Sequence, residues 1–224
     1  MPDKSTASSF GSIKVKPPRI HRGQRIGVMG GTFNPPHNGH ALISRTALRR
    51  LKLDQLWWVV TPGNPLKINN GLPHARVRME QCRELAPDKR MRITAFEEDL
   101  ATPYTAATLG FLARRYPGVR FVWIMGADNL ASFHRWQRWR DIVRNVPIAV
   151  VDRPGWRLKA LASPAAHWMS RSYVPEARAA TLPAHHAPAW TFLTGPLSRL
   201  SSTELRALAK GEGRRAGCAG KQRR

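Results

Sequence analysis

The sequence predicts an α/β fold, a single domain built on an open, doubly wound parallel sheet with helices on both faces. The first observation is that short runs typical of buried strands alternate with longer stretches of helical pattern. The second is size, because 224 residues with 42% hydrophobic side chains are enough for one α/β domain and its core. The third is the sharp turn expected at Gly30-Gly31, directly after the first strand, since glycine adopts backbone angles that other residues avoid.

Six segments are predicted to form the strands, and they are Arg25–Met29, Leu56–Val60, Met91–Thr94, Phe121–Met125, Ile148–Val151 and Trp190–Leu193. Helical patterns between them lie near residues 40–53, 73–86, 104–116 and 138–145, and a last short helix is predicted to begin near Ser202. In an open parallel sheet, ligands bind beyond the carboxyl ends of the strands. The functional loops are therefore expected after the first, second, fourth and sixth strands.

Three tryptophans, Trp57, Trp58 and Trp123, lie within predicted strands and are expected in the core. Residues 155–189 are rich in Ala, Pro and His and match no motif. The histidines of this segment are expected at the surface and not as ligands, and they are His167, His185 and His186.

The charge of the chain is strongly basic, with 37 Lys and Arg against 14 Asp and Glu and a net charge of +23. This balance indicates either a phosphate-bearing partner or a solvated basic surface. Residues 1–24 and 209–224 are rich in Gly, Ser, Pro and basic side chains, which predicts mobile tails around a domain of residues 25–208. Phe10 is the one aromatic residue of these tails, which disfavours nucleic acid as the main partner.

The location predicted from the sequence is the cytoplasm, with no membrane partner. The longest apolar stretches, such as Leu56–Val60, have the length of a strand and not of a membrane span. The first 25 residues lack the apolar run of a secretory signal. Cys82 and Cys218 show no disulfide pattern, which is typical of a reducing compartment.

The sequence GGTFNPPHNGH, residues 30–40, follows the first strand and predicts a site for an anion. Its two glycines let the backbone approach a phosphate, and the free N–H groups at the start of the next helix favour negative charge. His37 and His40 are three residues apart, so both can face one ligand. The alternatives are an ordinary turn, or a zinc site, for which no cysteine or carboxylate lies close in sequence. Two other phosphate loops, GxxxxGK[ST] and GxGxxG, are missing here.

These residues resemble the phenylalanine-proline loop and HxGH motif of the nucleotidylyltransferases. The sequence LSSTELR, residues 200–206, is similar to the ISSTxIR motif of the same superfamily. Ser202 or Thr203 can cap a helix and expose its N–H groups to a phosphate, and Arg206 lies one turn further on. Asn34 stands where many relatives have Asp, and leucines replace both isoleucines of the second motif.

Three further segments resemble one branch, the nicotinate-nucleotide adenylyltransferases: PYTAATL at residues 103–109, GADNL at 126–130 followed by Trp136 and Trp139, and NPLK at 64–67. The likeness covers residues 25–208. It implies a Rossmann-like fold and a requirement for magnesium (Mg2+) with ATP as co-substrate. It also implies adenylyl transfer from ATP to nicotinate mononucleotide, giving nicotinate adenine dinucleotide and pyrophosphate in NAD biosynthesis.

The resemblance also implies roles for single residues. His37 and His40 would hold the ATP phosphates, with His40 nearest the α-phosphorus, and Lys67 and Arg206 would add positive charge. The other implied ATP-binding residues are Gly30, Gly31, Thr32, Phe33, Asp128, Ser202 and Thr203, of which Asp128 would face the nucleotide or its metal. The implied acceptor-binding residues are Tyr104, Thr105 and Trp136, the last by stacking on the nicotinate ring.

Three other functions share single features with this sequence. A related transferase could use phosphopantetheine or an alcohol phosphate as acceptor, but the Tyr104–Thr108 segment and Trp136 disfavour it. A nucleic-acid-binding protein would show steeply salt-dependent binding. A class I tRNA ligase is excluded by the short chain and the lack of a KMSKS-like loop. The sequence leaves the oligomeric state open, including a homo-oligomer, and also the degree of preference for nicotinate over nicotinamide mononucleotide.

Overall fold

One sheet of six parallel strands forms the centre of the molecule, with the strand order β3–β2–β1–β4–β5–β6. The structure is a computed structural model, and it describes residues 16–62, 72–86, 88–99 and 104–196. The strands are β1 Arg25–Gly31, β2 Gln55–Val60, β3 Met91–Thr94, β4 Arg120–Gly126, β5 Ile148–Val151 and β6 Trp190–Leu193. The predicted parallel sheet is confirmed. The order reverses between β1 and β4, which creates the switch point where such sheets bind ligands.

The helices are α1 Asn38–Arg50, α2 Ala75–Leu85, α3 Thr105–Arg115, α4 Ala127–Ser132, α5 Trp139–Asn145, α6 Arg157–Leu161 and α7 Pro164–Trp168. Short 3₁₀ helices span Phe96–Asp99, Phe133–Arg135, Ser170–Ser172 and Glu176–Ala184. The four helical patterns predicted between strands are confirmed as α1, α2, α3 and α5. The sequence missed α4, α6 and α7 because five or six residues are too few to show a helical period. The helix predicted near Ser202 lies outside the described residues.

The core is divided by the sheet into two clusters, one on each face. Trp57 and Trp123 belong to the cluster with α3 and α5, whereas Trp58 belongs to the cluster with α1. The expected burial of all three is confirmed, since none is more than 3% exposed. The three histidines of residues 155–189 are exposed, as expected. No helix in the described part of the chain is both long and apolar enough to cross a membrane.

The central strands bring the site residues to one edge. β1 pairs with β2 from Ile26↔Gln55 to Gly31↔Val60, and with β4 from Arg25↔Arg120 to Val28↔Trp123. At Gly30 a Cβ atom would lie 2.8 Å from Cη2 of Trp123, so the indole of β4 needs a glycine on β1. The end of β1 therefore lies against an aromatic side chain directly at the switch point.

The segment before β1 contacts the domain, although the sequence assigns it to the N-terminal tail. Ile20 packs against the core cluster of one face, and the carbonyl of Arg19 accepts a hydrogen bond from Nε2 of Gln55 at 3.3 Å. The backbone N–H of Gly23 donates to the carbonyl of Gly118 at 2.7 Å. Residues 19–23 are thus packed on the domain. One isoleucine and two hydrogen bonds hold this segment in place, although its overall composition is polar.

Two deletion variants distinguish the contribution of this packed segment to stability from that of the residues before it. Removal of residues 1–22 is expected to lower the free energy of unfolding by about 1–3 kcal/mol, since it exposes the surface under Ile20 and removes the hydrogen-bond partner of Nε2 of Gln55. Removal of residues 1–15 is the matched control and is expected to leave the urea midpoint unchanged. Equal midpoints for the two deletions, measured by circular dichroism, would contradict the contact.

Candidate active site

The first turn of α1 is capped by two histidine side chains. His37 is the N-cap residue with extended backbone angles, and its Nδ1 accepts from the N–H of Gly39 at 3.1 Å. The Nδ1 of His40 accepts from the N–H of His37, also at 3.1 Å. The two ring centroids are 3.8 Å apart. This is a capping box in which imidazoles replace the usual hydroxyl and carboxylate.

These hydrogen bonds determine which nitrogen of each ring is the donor. A neutral imidazole whose Nδ1 accepts carries its proton on Nε2. His37 is 5% exposed, and burial is the main cause that holds the pKa of His40 well below its usual value. The positive charge of Arg153 lowers the pKa of His40 further, as a proton on His37 would. His40 is therefore neutral at neutral pH and presents Nε2–H as a hydrogen-bond donor.

Buried side chains below the cap hold the ring of His40 in place. The hydroxyl of Ser44 donates to the carbonyl of His40 at 2.9 Å and accepts from Nε1 of Trp58 at 2.7 Å. Phe33 stacks on Trp58 with centroids 5.0 Å apart and contacts the His40 ring at 4.9 Å. Phe33 has a φ of 44°, a left-handed angle that is costly for a large side chain and is maintained here by this packing.

A carboxylate and a guanidinium lie at the ends of the neighbouring strands. Asp128 is in the first turn of α4, directly after β4, and Arg153 follows β5. Nε of Arg153 is 3.8 Å from Oδ1 of Asp128. Gly126 permits this arrangement, because a Cβ atom there would clash with the same oxygen. Since Arg153 also acts on the pKa of His40, its positive charge lies near the capping histidines.

The predicted acceptor residues lie on the face of the sheet that α3 covers. Thr105 begins α3, and Tyr104 precedes it without a side-chain hydrogen bond to the first turn. Trp136 is partly buried, with its ring centroid 6.3 Å from that of Trp123 and 5.4 Å from that of Phe133, both edge to face. One surface of the Trp136 indole is thus fixed by the core, which is the arrangement expected of a rigid stacking surface.

The structure describes only part of the predicted site. Gly30 and Gly31 are the last residues of β1, paired with Val59 and Val60, so the sharp turn predicted at these glycines is wrong and the chain leaves the strand at Thr32. Thr32, Phe33, both histidines and Asp128 lie at the carboxyl edge of the sheet, and Tyr104, Thr105 and Trp136 lie near α3 and α5. The remaining predicted residues lie outside the described residues, and they are Lys67, Ser202, Thr203 and Arg206.

Sequence reasoning missed three residues of this region, which are Arg78, Glu97 and Arg153. Arg153 is the second residue after the fifth strand, and the rule that places ligands beyond strand ends would have included it. Arg78 occupies an inward position of α2 where the helical pattern predicts an apolar residue. Glu97 lies in a short charged sequence that is typical of an exposed loop.

Metal binding by protein groups alone finds no support in the described residues, where no three His, Cys, Asp or Glu side chains gather. Oδ1 of Asp128 is a buried oxygen without a hydrogen bond. Magnesium is usually held by one or two carboxylates together with substrate phosphates, so a single carboxylate at this edge fits an ion that arrives with a nucleotide.

Glu97 is a buried carboxyl in the 3₁₀ helix Phe96–Asp99. It is 4% exposed, and its Oε1 accepts from the hydroxyl of Thr108 at 2.5 Å. Its Oε2 has no hydrogen-bond partner in the structure. Burial raises the pKa of Glu97 to about 7. Thr108 is on α3, so this pair ties the 3₁₀ helix Phe96–Asp99 to the helix that follows Tyr104.

Comparison with known proteins identifies the family to which this chain belongs. The family model described as Cytidylyltransferase-like matches residues 28–208. A probable nicotinate-nucleotide adenylyltransferase of Rhizobium meliloti (strain 1021) is 56% identical over 186 residues, which are 83% of this chain and 99% of the relative. A relative of the same name from Agrobacterium fabrum (strain C58 / ATCC 33970) is 54% identical over 181 residues, 81% of this chain and 97% of that protein.

Solved structures support the fold alone. The nicotinic acid mononucleotide adenylyltransferase of Plasmodium falciparum complexed with NaAD superposes with a TM-score of 0.60 at 15% sequence identity. The superposition covers 82% of this chain and 83% of that one. At this identity, the agreement is in the arrangement of the sheet and helices.

The titration of Glu97 predicts how stability changes with pH. Because the folded-state pKa lies above the ordinary value of 4.5, the folded protein binds this proton more tightly than the unfolded chain does. The ionisation of Glu97 therefore lowers the stability of the folded protein as the pH rises from about 4.5 through about 7. Glu97→Gln is expected to be more stable than the wild type at about pH 8.5, by on the order of 2–3 kcal/mol, and to lose most of this advantage below about pH 5.

Urea unfolding of wild type and variant at both pH values measures this difference. Glu80→Gln, an exposed carboxyl on α2, is the control and should show no such pH dependence. A stability difference between wild type and Glu97→Gln that is the same at both pH values would disprove the buried titration.

Proposed function

The chain belongs to the nicotinate-nucleotide adenylyltransferases of the cytidylyltransferase-like family, and we propose that it transfers an adenylyl group from ATP to nicotinate mononucleotide. The products are nicotinate adenine dinucleotide and pyrophosphate, which places the reaction in NAD biosynthesis. The observation that carries the proposal is the 56% identity over 99% of a relative with this name. The capped start of α1 at the switch point supplies the geometry that such a reaction needs.

The chemical step needs no base. The phosphate of the acceptor is already an anion, so one of its oxygens attacks the α-phosphorus directly. A new P–O bond forms in line with the bond to the β-phosphate, which breaks, and pyrophosphate leaves with that electron pair. The protein has to align the two substrates and to stabilise the negative charge of the transition state.

The capping histidines suit this task because their donors are fixed before ATP arrives. In this proposal, Nε2–H of His40 donates to an oxygen of the α-phosphate, and His37 binds the neighbouring phosphates. Arg153 adds a positive charge that the neutral imidazoles lack, and Asp128 orients that guanidinium. The helix start of α1 contributes its N–H groups and dipole.

Residues outside the described part of the chain complete the proposed ATP site. Lys67 and Arg206 would add positive charge, and Ser202 and Thr203 would offer a second helix start, as the family motif implies. Magnesium, when bound with ATP, would neutralise phosphate charge and make pyrophosphate a better leaving group. In this proposal, Asp128 would face that ion, and its buried Oδ1 without a hydrogen bond supports the role.

The direct test is a reaction of the purified protein with ATP, magnesium and nicotinate mononucleotide, with product identification by mass spectrometry. Formation of nicotinate adenine dinucleotide together with pyrophosphate is the expected result. Phosphopantetheine and nicotinamide mononucleotide serve as competing acceptors in parallel reactions. A preference for phosphopantetheine, or no dinucleotide at all, would disprove the proposed function.

His40→Ala is expected to lower kcat by on the order of 10²–10⁴ while the protein stays folded, because a donor to the transition state is lost. His40→Asn separates this role from capping, since its amide oxygen can still accept from the N–H of His37 while no Nε2 donor remains. His74→Ala is the matched control, because His74 also caps a helix through Nδ1, in an exposed position on α2. Recovery of activity in His40→Asn would show that His40 acts only as a cap.

The acceptor site is tested with Trp136→Ala. Stacking on an indole is similar for an acid and an amide ring, so the variant should raise KM for both mononucleotides and leave their ratio unchanged. The wild type should favour the acid by about tenfold or more in kcat/KM, because the N–H groups at the start of α3, which the side chain of Tyr104 does not cap, favour a carboxylate. Trp168→Ala, an exposed indole on α7, is the control. If the wild type used nicotinate and nicotinamide mononucleotide equally well, recognition of the carboxylate at the start of α3 would be disproved.

A further inference from the structure

Arg78 is buried in a way that its position in the sequence does not explain. The residues of α2 that face the sheet are Ala75, Arg78 and Cys82, a spacing that normally carries apolar side chains. Arg78 is 1% exposed. Removing a guanidinium from water is costly, so its retention here requires hydrogen bonds that an apolar residue would not form.

The guanidinium joins three backbone carbonyls that belong to different segments. Its Nη1 donates to the carbonyl of Thr32 at 2.7 Å and to that of Thr61 at 2.8 Å. Its Nε donates to the carbonyl of Pro73 at 2.8 Å. Thr32 and Thr61 directly follow β1 and β2, and the N–H of Thr61 also donates to the carbonyl of Gly31 at 3.0 Å. Arg78 therefore holds the ends of β1 and β2 together, next to the loop that carries His37 and His40. This set of hydrogen bonds from Arg78 is called the clamp below.

The clamp is one residue away from the strained part of that loop. Phe33 follows Thr32 and has the left-handed φ of 44°, and its ring contacts the imidazole of His40. A backbone in this conformation persists only where its surroundings fix it on both sides. The stacking on Trp58 fixes the side chain of Phe33, and the hydrogen bond from Arg78 fixes the peptide group before it.

We propose that Arg78 is a positioning residue for the adenylyl transfer, and this inference rests on the proposed function. It has no direct contact with a phosphate in this proposal. It holds the carbonyl of Thr32, and through Phe33 it fixes the direction in which His40 presents its donor. Arginine is required because its planar fork reaches carbonyls on two sides at once, whereas an ammonium group is a single point.

The decisive variant is Arg78→Lys, which keeps the charge and loses the fork. A displacement of about 1 Å at a catalytic group reduces the rate by about 100-fold, so we expect kcat/KM for ATP to fall by about 10- to 100-fold. KM for nicotinate mononucleotide should change by less than about threefold, because the acceptor residues pack with α3 and α5 and not with α2.

Two matched controls on the same helix separate positioning from stability. Arg83→Lys makes the same exchange at an exposed position. Cys82→Ala removes packing from the same inward stripe without touching a loop carbonyl. All variants are compared at a temperature well below their melting temperatures. If Arg78→Lys loses no more activity than Cys82→Ala at a similar loss of stability, Arg78 is only structural and the proposal is wrong.

A measurement on the wild type keeps the proposal testable if Arg78→Lys does not fold. In protein labelled with ¹⁵N-arginine, the Nε–H signal of Arg78 should shift when a non-hydrolysable ATP analogue binds, and not when nicotinate mononucleotide binds. An unchanged signal at saturating analogue would overturn the proposal. Failure of the proposed function is distinguishable, because the wild type would then form no dinucleotide, while binding of the ATP analogue still reports on the clamp.

Discussion

The hydrogen bonds from the backbone N–H groups of Gly39 and His37 to two imidazoles are the constraint on which the site depends. They occupy Nδ1 of both rings, so the proton of each neutral ring is on Nε2. A side chain that only pointed into the cleft could change tautomer or rotate, and its donor would be lost. Because the cap is part of the helix itself, a change of tautomer would also cost helix stability. The donors are thus organised before any substrate binds, which is what stabilisation of a transition state requires.

This cap is supported by polar groups buried between the sheet and α1. Strand ends in a parallel sheet leave carbonyls that need donors, and Arg78 supplies them for Thr32 and Thr61. Within α1, the hydroxyl of Ser44 donates to the carbonyl of His40 and accepts from Nε1 of Trp58, so it joins the helix to β2. Such networks are stabilising only when their members are satisfied, so each residue constrains the next. The groups that hold the loop in place therefore lie on the side that faces the sheet, and its other side is left for a ligand.

The sequence was sufficient for the features that depend on local pattern. All six strands, the four longer helices and the position of the two histidines follow from runs of apolar residues, from periodicity and from the HxGH spacing. Contacts between segments that are far apart in the sequence could not be predicted from such patterns. Arg153 comes close to the histidines only because β5 and β1 end at the same edge, and no motif marks it. Arg78 contradicts the apolar pattern of its helix, and its partners are carbonyls, which every residue has and no sequence pattern distinguishes. Ile20 packs on the domain from a segment whose composition is that of a tail.

The electrostatics of the site show how a strongly basic protein retains neutral histidines. Burial is the first cause of the low pKa of His40, and the positive charge of Arg153 acts in the same direction. In a buried site with a nearby positive charge, an arginine stays charged whereas an imidazole loses its proton. The two residue types therefore have different functions in the site. The imidazoles supply hydrogen bonds of fixed direction, and the guanidinium supplies charge. Binding of a phosphate would oppose the repulsion from Arg153 and raise the pKa of His40 again. As long as His40 stays neutral, its Nδ1 accepts the hydrogen bond of the cap and its Nε2–H remains the donor toward the phosphate oxygens, on which the negative charge of the transition state accumulates.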